Sequence, residues 1–319
     1  MDTYNNNKKN LIIIDTDCGT DDAMAIILAF SSPETEVLAI TCCSGNTTVH
    51  NAVENVKRVL AVCNKEKIPI HRGCSKSLLG RERLAGWHGS DGLGDCKEKF
   101  STGGIKESED SAAIALIELT KKYPNEITLV ALAPLTNIAV VHRIDNEFTS
   151  RLKSIVCMGG NYKGTGNVTE TAEFNFYCDP ESAHIIMTEA DCPIFLVPWE
   201  TTIEHGIEWD YYMELMHTDS RKAHFLKRIT ALGAEKCREE NESFVDCDFI
   251  AMAVALYPEC IKATIKRPVL VECGGNHSRG LSICLRDFYC NGLENRKVEI
   301  VVNLDIPFLN HLRRQMLKD

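Results

Sequence analysis

Two hydrophobic patterns alternate along most of the chain. Short, wholly apolar, β-branched runs read as strands buried on both faces, and stretches with apolar residues three and four positions apart read as helices. The first run, Leu11-Ile12-Ile13-Ile14, precedes the helix-like stretch Ala23-Met24-Ala25-Ile26-Ile27-Leu28-Ala29-Phe30. A second strand over Val37 to Cys43 ends at Gly45-Asn46. It is followed by helical spacing through Val49, Ala52, Val53, Val56, Val59, Leu60 and Cys63. Ile68-Pro69-Ile70 is short and strand-like, Asp110 to Tyr123 is an amphipathic helix, and Ile127 to Leu132 is a strand. The turn at Ala133-Pro134 is expected to start a helix with proline in its first turn. Lys153 to Met158 is a strand ending in Gly159-Gly160, Asp179-Pro180-Glu181 opens another helix, and Pro193 to Val197 is the next strand.

This alternation predicts an α/β fold, a single domain whose mostly parallel twisted sheet carries helices on both faces. After residue 260 the pattern changes to extended pieces at 263–265, 269–271, 281–283 and 298–302, expected to form a small antiparallel C-terminal addition. No internal repeat, low-complexity tract or linker interrupts the chain. Residues 11–319 are therefore expected to form one domain behind a polar, disordered lead-in over residues 1–10.

Composition narrows the function. The 319 residues are 44% hydrophobic and 25% charged, enough apolar content for a substantial core. A formal net charge of −10 and the lack of a Lys/Arg stripe argue against nucleic acid as a ligand. No run approaches the ~18 apolar residues of a membrane span, and the first ten residues lack a signal-peptide apolar region. Of the 15 cysteines, Cys42, Cys43, Cys63 and Cys157 lie inside apolar runs, and no CxxC pair occurs. Reduced, buried thiols in a cytoplasmic protein are the expectation.

Candidate chemistry begins in the loop after the first strand, Asp15-Thr16-Asp17-Cys18-Gly19-Thr20-Asp21-Asp22. A lone aspartate there would be an ordinary helix cap. Four carboxylates within eight residues repel one another, and a bound cation is the simplest remedy; all-oxygen ligands point to a hard one, Ca²⁺ or Mg²⁺. In such sheets ligands bind beyond the carboxyl ends of the strands. Polar groups recur at those ends: Asp17, Asn46, the carbonyl region of Leu132, and Met158-Gly159-Gly160. Gly86 to Gly94, carrying His88 and Asp91, reads as a glycine-rich loop without a dinucleotide fingerprint. Glu173 and Asn175, two apart, would point to one side of an extended backbone, where an acid and an amide can grasp separate hydroxyls of a polyol. Asp248 either caps the apolar helix that follows it or faces a ligand.

The motif Asp15-Thr16-Asp17-x-Gly19-x-Asp21-Asp22-Ala23 resembles the N-terminal signature of the inosine–uridine-type nucleoside hydrolases, a group of calcium-dependent N-ribohydrolases. Cys18 stands where that family usually has proline, a departure expected to leave the glycine turn intact. His88-Gly89-Ser90-Asp91-Gly92-Leu93-Gly94 resembles the family's loop bordering the active site, and Glu173-Phe174-Asn175 its ribose-binding element. Cys247-Asp248-x-x-Ala251 is similar to a His-Asp-x-x-Ala segment, with cysteine in place of the histidine associated with activating the leaving base.

The resemblance implies hydrolysis of the N-glycosidic bond of ribonucleosides to ribose and free base. It implies calcium held by Asp17, Asp22, Asp248 and the Leu132 carbonyl, with Asp17 as general base. Asp21, Asn46, Met158, Asn167, Glu173 and Asn175 would face the ribose, leaving His88 and Cys247 as candidates for helping the base depart. Small-molecule ribonucleosides are the expected partners, and the assembly expected is a homodimer or homotetramer. Selectivity for the base would lie in loops around residues 80–95 and 205–245. Two alternatives stay open: a Mg²⁺ phosphatase of the haloacid-dehalogenase type, with Asp15 as nucleophile, and a nucleoside-binding protein without turnover.

Overall fold

The computed structural model describes residues 9–240, 242–286, 289, 292–293 and 295–319. Most of the lead-in, residues 1–8, thus lies outside the described residues, and the first strand already begins at Asn10. The strands are β1 (Asn10–Thr16), β2 (Thr35–Cys42), β3 (Ile70–Arg72), β4 (Ile127–Ala131), β5 (Ser154–Met158), β6 (Ile194–Val197), β7 (Ile261–Val271), β8 (Ser282–Cys284) and β9 (Lys297–Leu304). They form one sheet in the order β3-β2-β1-β4-β5-β6-β9-β7-β8. Pairing is parallel from β3 through to β9 and antiparallel only for β9 with β7 and β7 with β8.

The period-two alternation of side chains divides the core into two layers. Ile12 and Ile14 of β1, Val130 of β4 and Val156 of β5 pack under helices Thr20–Ser31, Val49–Cys63, Cys247–Leu256 and Ile306–Met316. Ile13, Leu129, Ala131, Ile155 and Cys157 face the opposite layer, with helices Ala112–Lys122, Thr136–Ile144 and Pro180–Glu189. Helices on both faces, and a mostly parallel sheet within a single α/β domain, are what the apolar runs predicted.

The C-terminal part differs from the expectation in its connections. The pieces at 263–265 and 269–271 are one strand, β7, and β9 joins the main sheet in parallel beside β6. The antiparallel strands are therefore continuous with the main sheet. The turn before Thr136–Ile144 also differs: Pro134 lies before Leu135, the helix N-cap, rather than in the first turn. The stretch 205–245, expected as loops, is mainly helical, with helices Trp209–Met216, Arg221–Ile229 and Ala231–Glu239.

Strand order reverses at β1. The connection through β2 leads to one side, and β4 lies on the other. Such a switch point leaves a crevice beyond the strand ends, where ligands bind in sheets of this kind. Here that position lies between the loop after β1 and the Leu132 end of β4. Helices Thr20–Ser31 and Cys247–Leu256 pack against each other beside it; the first carries Asp21 and Asp22 in its first turn and the second Asp248. Their packing brings the N-terminal ends of two helix dipoles to one place, where negative charge is favoured.

Candidate active site

Asp21 and Asp22 from the first of these helices and Asp248 from the second offer carboxylate oxygens that all lie within 4.8 Å of one another. Asp17 joins them through Asn46. The main-chain N–H of Asn46 donates to Asp17 Oδ2 (2.5 Å), and its side-chain Nδ2 donates to Asp17 Oδ1 (3.2 Å) and Asp22 Oδ2 (3.1 Å). The loop needs glycine beside it, because a Cβ on Gly45 would sit 2.0 Å from Asp17 Oδ2. Asp22 also accepts from the Thr16 hydroxyl and from the Gly19 main-chain N–H at 2.7 Å.

Electrostatically the cluster is short of positive charge. Burial pushes the Asp17 carboxyl well above the ordinary carboxylate range, and repulsion from Asp22 adds to the effect. Asp248 is raised in the same way by burial and by Asp21, Asp22 and Asp17. Burial also raises Asp21, to about 6, and one of its oxygens, Oδ1, has no hydrogen-bond partner among the described residues. No lysine or arginine pairs with Asp17, Asp21, Asp22 or Asp248 among the described residues; the nearest basic group is His88, whose Nε2 is 3.6 Å from Asp21 Oδ1. An orphaned buried oxygen and an all-oxygen donor set without a cationic side chain fit a hard metal ion.

Asp15 does something else. It is fully buried; its Oδ1 accepts from the Thr41 hydroxyl (2.5 Å) and from Asn137 Nδ2 (2.8 Å), and its Oδ2 has no hydrogen-bond partner among the described residues. Cys18, where the resemblance expects proline, has φ +26°, and its N–H donates to Thr16 Oγ1 (3.0 Å). Proline can adopt neither that φ nor that hydrogen bond, so the turn is kept by a conformation that proline could not supply.

Beyond β5 the chain folds back into a loop and a short helix, Phe174–Cys178. Glu173 and Asn175 are therefore not side by side on an extended backbone, as their spacing suggested. Glu173 is the N-cap: its carboxylate accepts N–H groups from Gly160 (2.7 Å), Asn175 (2.8 Å) and Phe176 (3.1 Å). Capping of this kind satisfies N–H groups that a helix start leaves without partners. Burial still raises its pKa to about 7. Asn175, inside the helix, turns its Nδ2 to the carbonyls of Leu132 (2.8 Å) and Met158 (3.2 Å), the ends of β4 and β5. Asn167 is exposed in the preceding loop, where its Oδ1 accepts from the Phe174 N–H at 2.9 Å.

The two candidates for leaving-group help occupy different settings. His88 Nδ1 accepts from the Thr20 N–H (3.3 Å) and lies 2.8 Å from Thr20 Oγ1, which assigns the ring proton to Nε2, facing Asp21. Burial pushes its pKa down to about 4, so the ring is neutral near pH 7. Cys247 is buried, its thiol pKa is pushed well above the ordinary range by burial, and its Sγ contacts Thr202 Oγ1 at 3.3 Å.

Several residues of the site carried no motif. Thr41, Asn55, Asn137 and Thr202 support it from neighbouring elements; Asn55, for example, donates to the Cys18 (3.1 Å) and Asp91 (2.9 Å) carbonyls. Only Asn55 left a trace in the sequence, as a polar residue between Ala52, Val53 and Val56 on the buried side of its helix.

Among the described residues, no helix is long and apolar enough to cross a membrane. A family model described as inosine-uridine preferring nucleoside hydrolase matches residues 12–310. The chain is 32% identical to the inosine-uridine preferring nucleoside hydrolase of Leishmania major over 299 residues, covering 92% of this chain and 93% of that protein. It is 41% identical to uridine nucleosidase 1 of Arabidopsis thaliana over 210 residues, a match spanning 65% of this chain and 62% of that protein. The solved structure of the plant nucleoside hydrolase PpNRh1 superposes with a TM-score of 0.89 at 31% identity, over 97% of this chain and 99% of that one.

Proposed function

The chain belongs to the inosine-uridine preferring nucleoside hydrolase family, and from that premise we propose that it cleaves ribonucleosides to ribose and free base with Asp17 as general base. The observation that carries the reading is the convergence of Asp17, Asp21, Asp22 and Asp248 at the switch point of the sheet, with no lysine or arginine paired to them among the described residues. Asp17, Asp22, Asp248 and the Leu132 carbonyl would hold a calcium ion, which would supply a Lewis acid that makes water more acidic.

The rest is the work of this chain's side chains. The C1′–N bond breaks through an oxocarbenium-like transition state, as in other glycosyl cleavages. The oxygen of water bonds to C1′, its proton passes to Asp17, and the bonding pair leaves with the base. Asn46 fixes both oxygens of Asp17, so the acceptor is oriented before substrate arrives. Asp21, Asn46, Asn167, Glu173 and Asn175 take the ribose hydroxyls, and Met158 packs beside the sugar. Three of the lone-pair positions on the Glu173 carboxylate accept main-chain N–H groups, which leaves it room to accept from a hydroxyl.

Departure of the base is where this chain differs from the histidine pattern. The neutral ring of His88 and the occupied thiol of Cys247 support a base that leaves largely as its own anion, with His88 orienting Asp21. A binding protein without turnover is the second reading, and the same two observations favour it. Release of ribose from a panel of nucleosides beginning with uridine and inosine, with and without chelator, decides between them. Chelator-sensitive ribose release supports hydrolysis; nucleoside binding without release at any pH overturns it.

A further inference from the structure

Resting on that reading, we propose that Arg313, in the C-terminal helix, is a positioning residue for the ligand-facing end of helix Cys247–Leu256, acting through Asp246. Arg313 and Asp246 are both fully buried and meet as a bidentate pair, Nε to Oδ2 at 2.9 Å and Nη2 to Oδ1 at 2.7 Å. Asp246 stands at the N-cap of the helix that presents Cys247 and Asp248, yet its side chain caps nothing. The ordinary reason for aspartate at a helix start therefore does not apply, and both of its oxygens are committed to the guanidinium.

The same guanidinium reaches a second element of the site. Its Nη2 donates to the His205 carbonyl (3.2 Å), at the end of helix Trp199–Glu204, and Nη1 donates to Asn310 Oδ1 (2.8 Å). That helix carries Thr202, the partner of the Cys247 thiol. One planar group thus fixes the end of the Thr202 helix and the start of the Cys247–Asp248 helix relative to each other. The guanidinium also lies 5.2 Å from the centre of the Phe249 ring, which restricts its tilt. A buried ion pair adds little net stability over apolar residues of similar size, because both charges must leave water. What the fork geometry adds is direction, and lysine cannot reproduce it.

Arg313→Lys and Asp246→Asn test this, each stripped with chelator and then titrated with calcium by calorimetry, alongside melting of the metal-free protein and kcat and KM for uridine. The expected result is a calcium Kd raised about ten- to hundredfold, the usual consequence of losing a partner behind a ligand, with kcat lowered more than KM is raised. Lower melting with unchanged calcium Kd and kcat would make the pair purely structural and overturn the inference. If either single variant does not fold, the double variant Arg313→Met/Asp246→Leu removes both charges together. Weakened calcium binding in it supports the inference and wild-type affinity overturns it. A wild-type protein that binds no calcium overturns the reading of the site itself, and this inference with it, which separates the two failures.

Discussion

The side-chain amide of Asn175 donates to the carbonyl of Leu132 at 2.8 Å, joining a proposed sugar-binding residue to a proposed metal ligand. Because the same Nδ2 also serves Met158, the donor side of the amide is used up on strand ends, and Oδ1 is left to accept from the ligand. Asn175→Asp has nearly the same shape but sets a carboxylate oxygen against two carbonyls. Losing that contact and adding repulsion should cost about 2–3 kcal/mol, read as a ~10²-fold lower kcat/KM for uridine. An unchanged value would show that the amide orients nothing.

Metal removal is the broadest test. Chelation should abolish ribose release and lower the melting temperature, because the carboxylates of Asp17, Asp22 and Asp248 then repel without compensation. Asp17→Ala should lose both calcium and turnover. Full activity in protein shown by elemental analysis to be free of calcium would end the mechanism.

The sugar provides a second check. If the 2′ and 3′ hydroxyls are gathered by the charged cluster, deoxyuridine lacks one such contact. The loss should be about 2–4 kcal/mol of transition-state stabilisation, on the scale of a charge-assisted hydrogen bond. Comparable kcat/KM values for uridine and deoxyuridine would contradict the site.

Cys247 and His88 can be separated with two substrates. Cys247→Ala should change kcat for uridine by no more than about tenfold, since a protonated thiol bonded to Thr202 offers little to a leaving base. His88→Ala should be the more damaging, and it should slow uridine and nitrophenyl riboside alike, because the neutral ring faces Asp21. Slowing of uridine alone would instead make His88 the general acid, whose loss typically costs ~10²-fold or more.

Glu173 should leave a mark on the pH dependence of stability. Its pKa rises from the ordinary 4.5 to about 7 on folding, because it is buried. Between those values the folded protein holds a proton that the unfolded chain has lost. Stability from this group is therefore full below about 4.5, falls as pH rises to about 7, and is level above. The change amounts to at most roughly 3 kcal/mol. Denaturant unfolding of the calcium-loaded protein at pH 5 and pH 8 should show a larger fall for wild type than for Glu173→Gln. Equal falls would place the Glu173 titration elsewhere.

The sequence by itself determined the α/β class, the succession of the first six strands along the chain and the acidic loop after β1. These are local matters: periods of two and of 3.6 residues, glycines at turns, and carboxylates within one eight-residue stretch. It also supplied Asp248, because that residue sits in a short motif at a helix start. Only the tertiary structure decided that β9 would lie between β6 and β7, since strand partners far apart in the chain leave no periodic trace. Only packing turned Glu173 into a helix cap, set Arg313 against Asp246 across 67 residues of chain, and enclosed Asp15 behind Thr41 and Asn137. The charge states of His88 and Cys247 belong to the same class of fact. Both follow from loss of water around a side chain, and burial is a property of the folded surface rather than of the residue type.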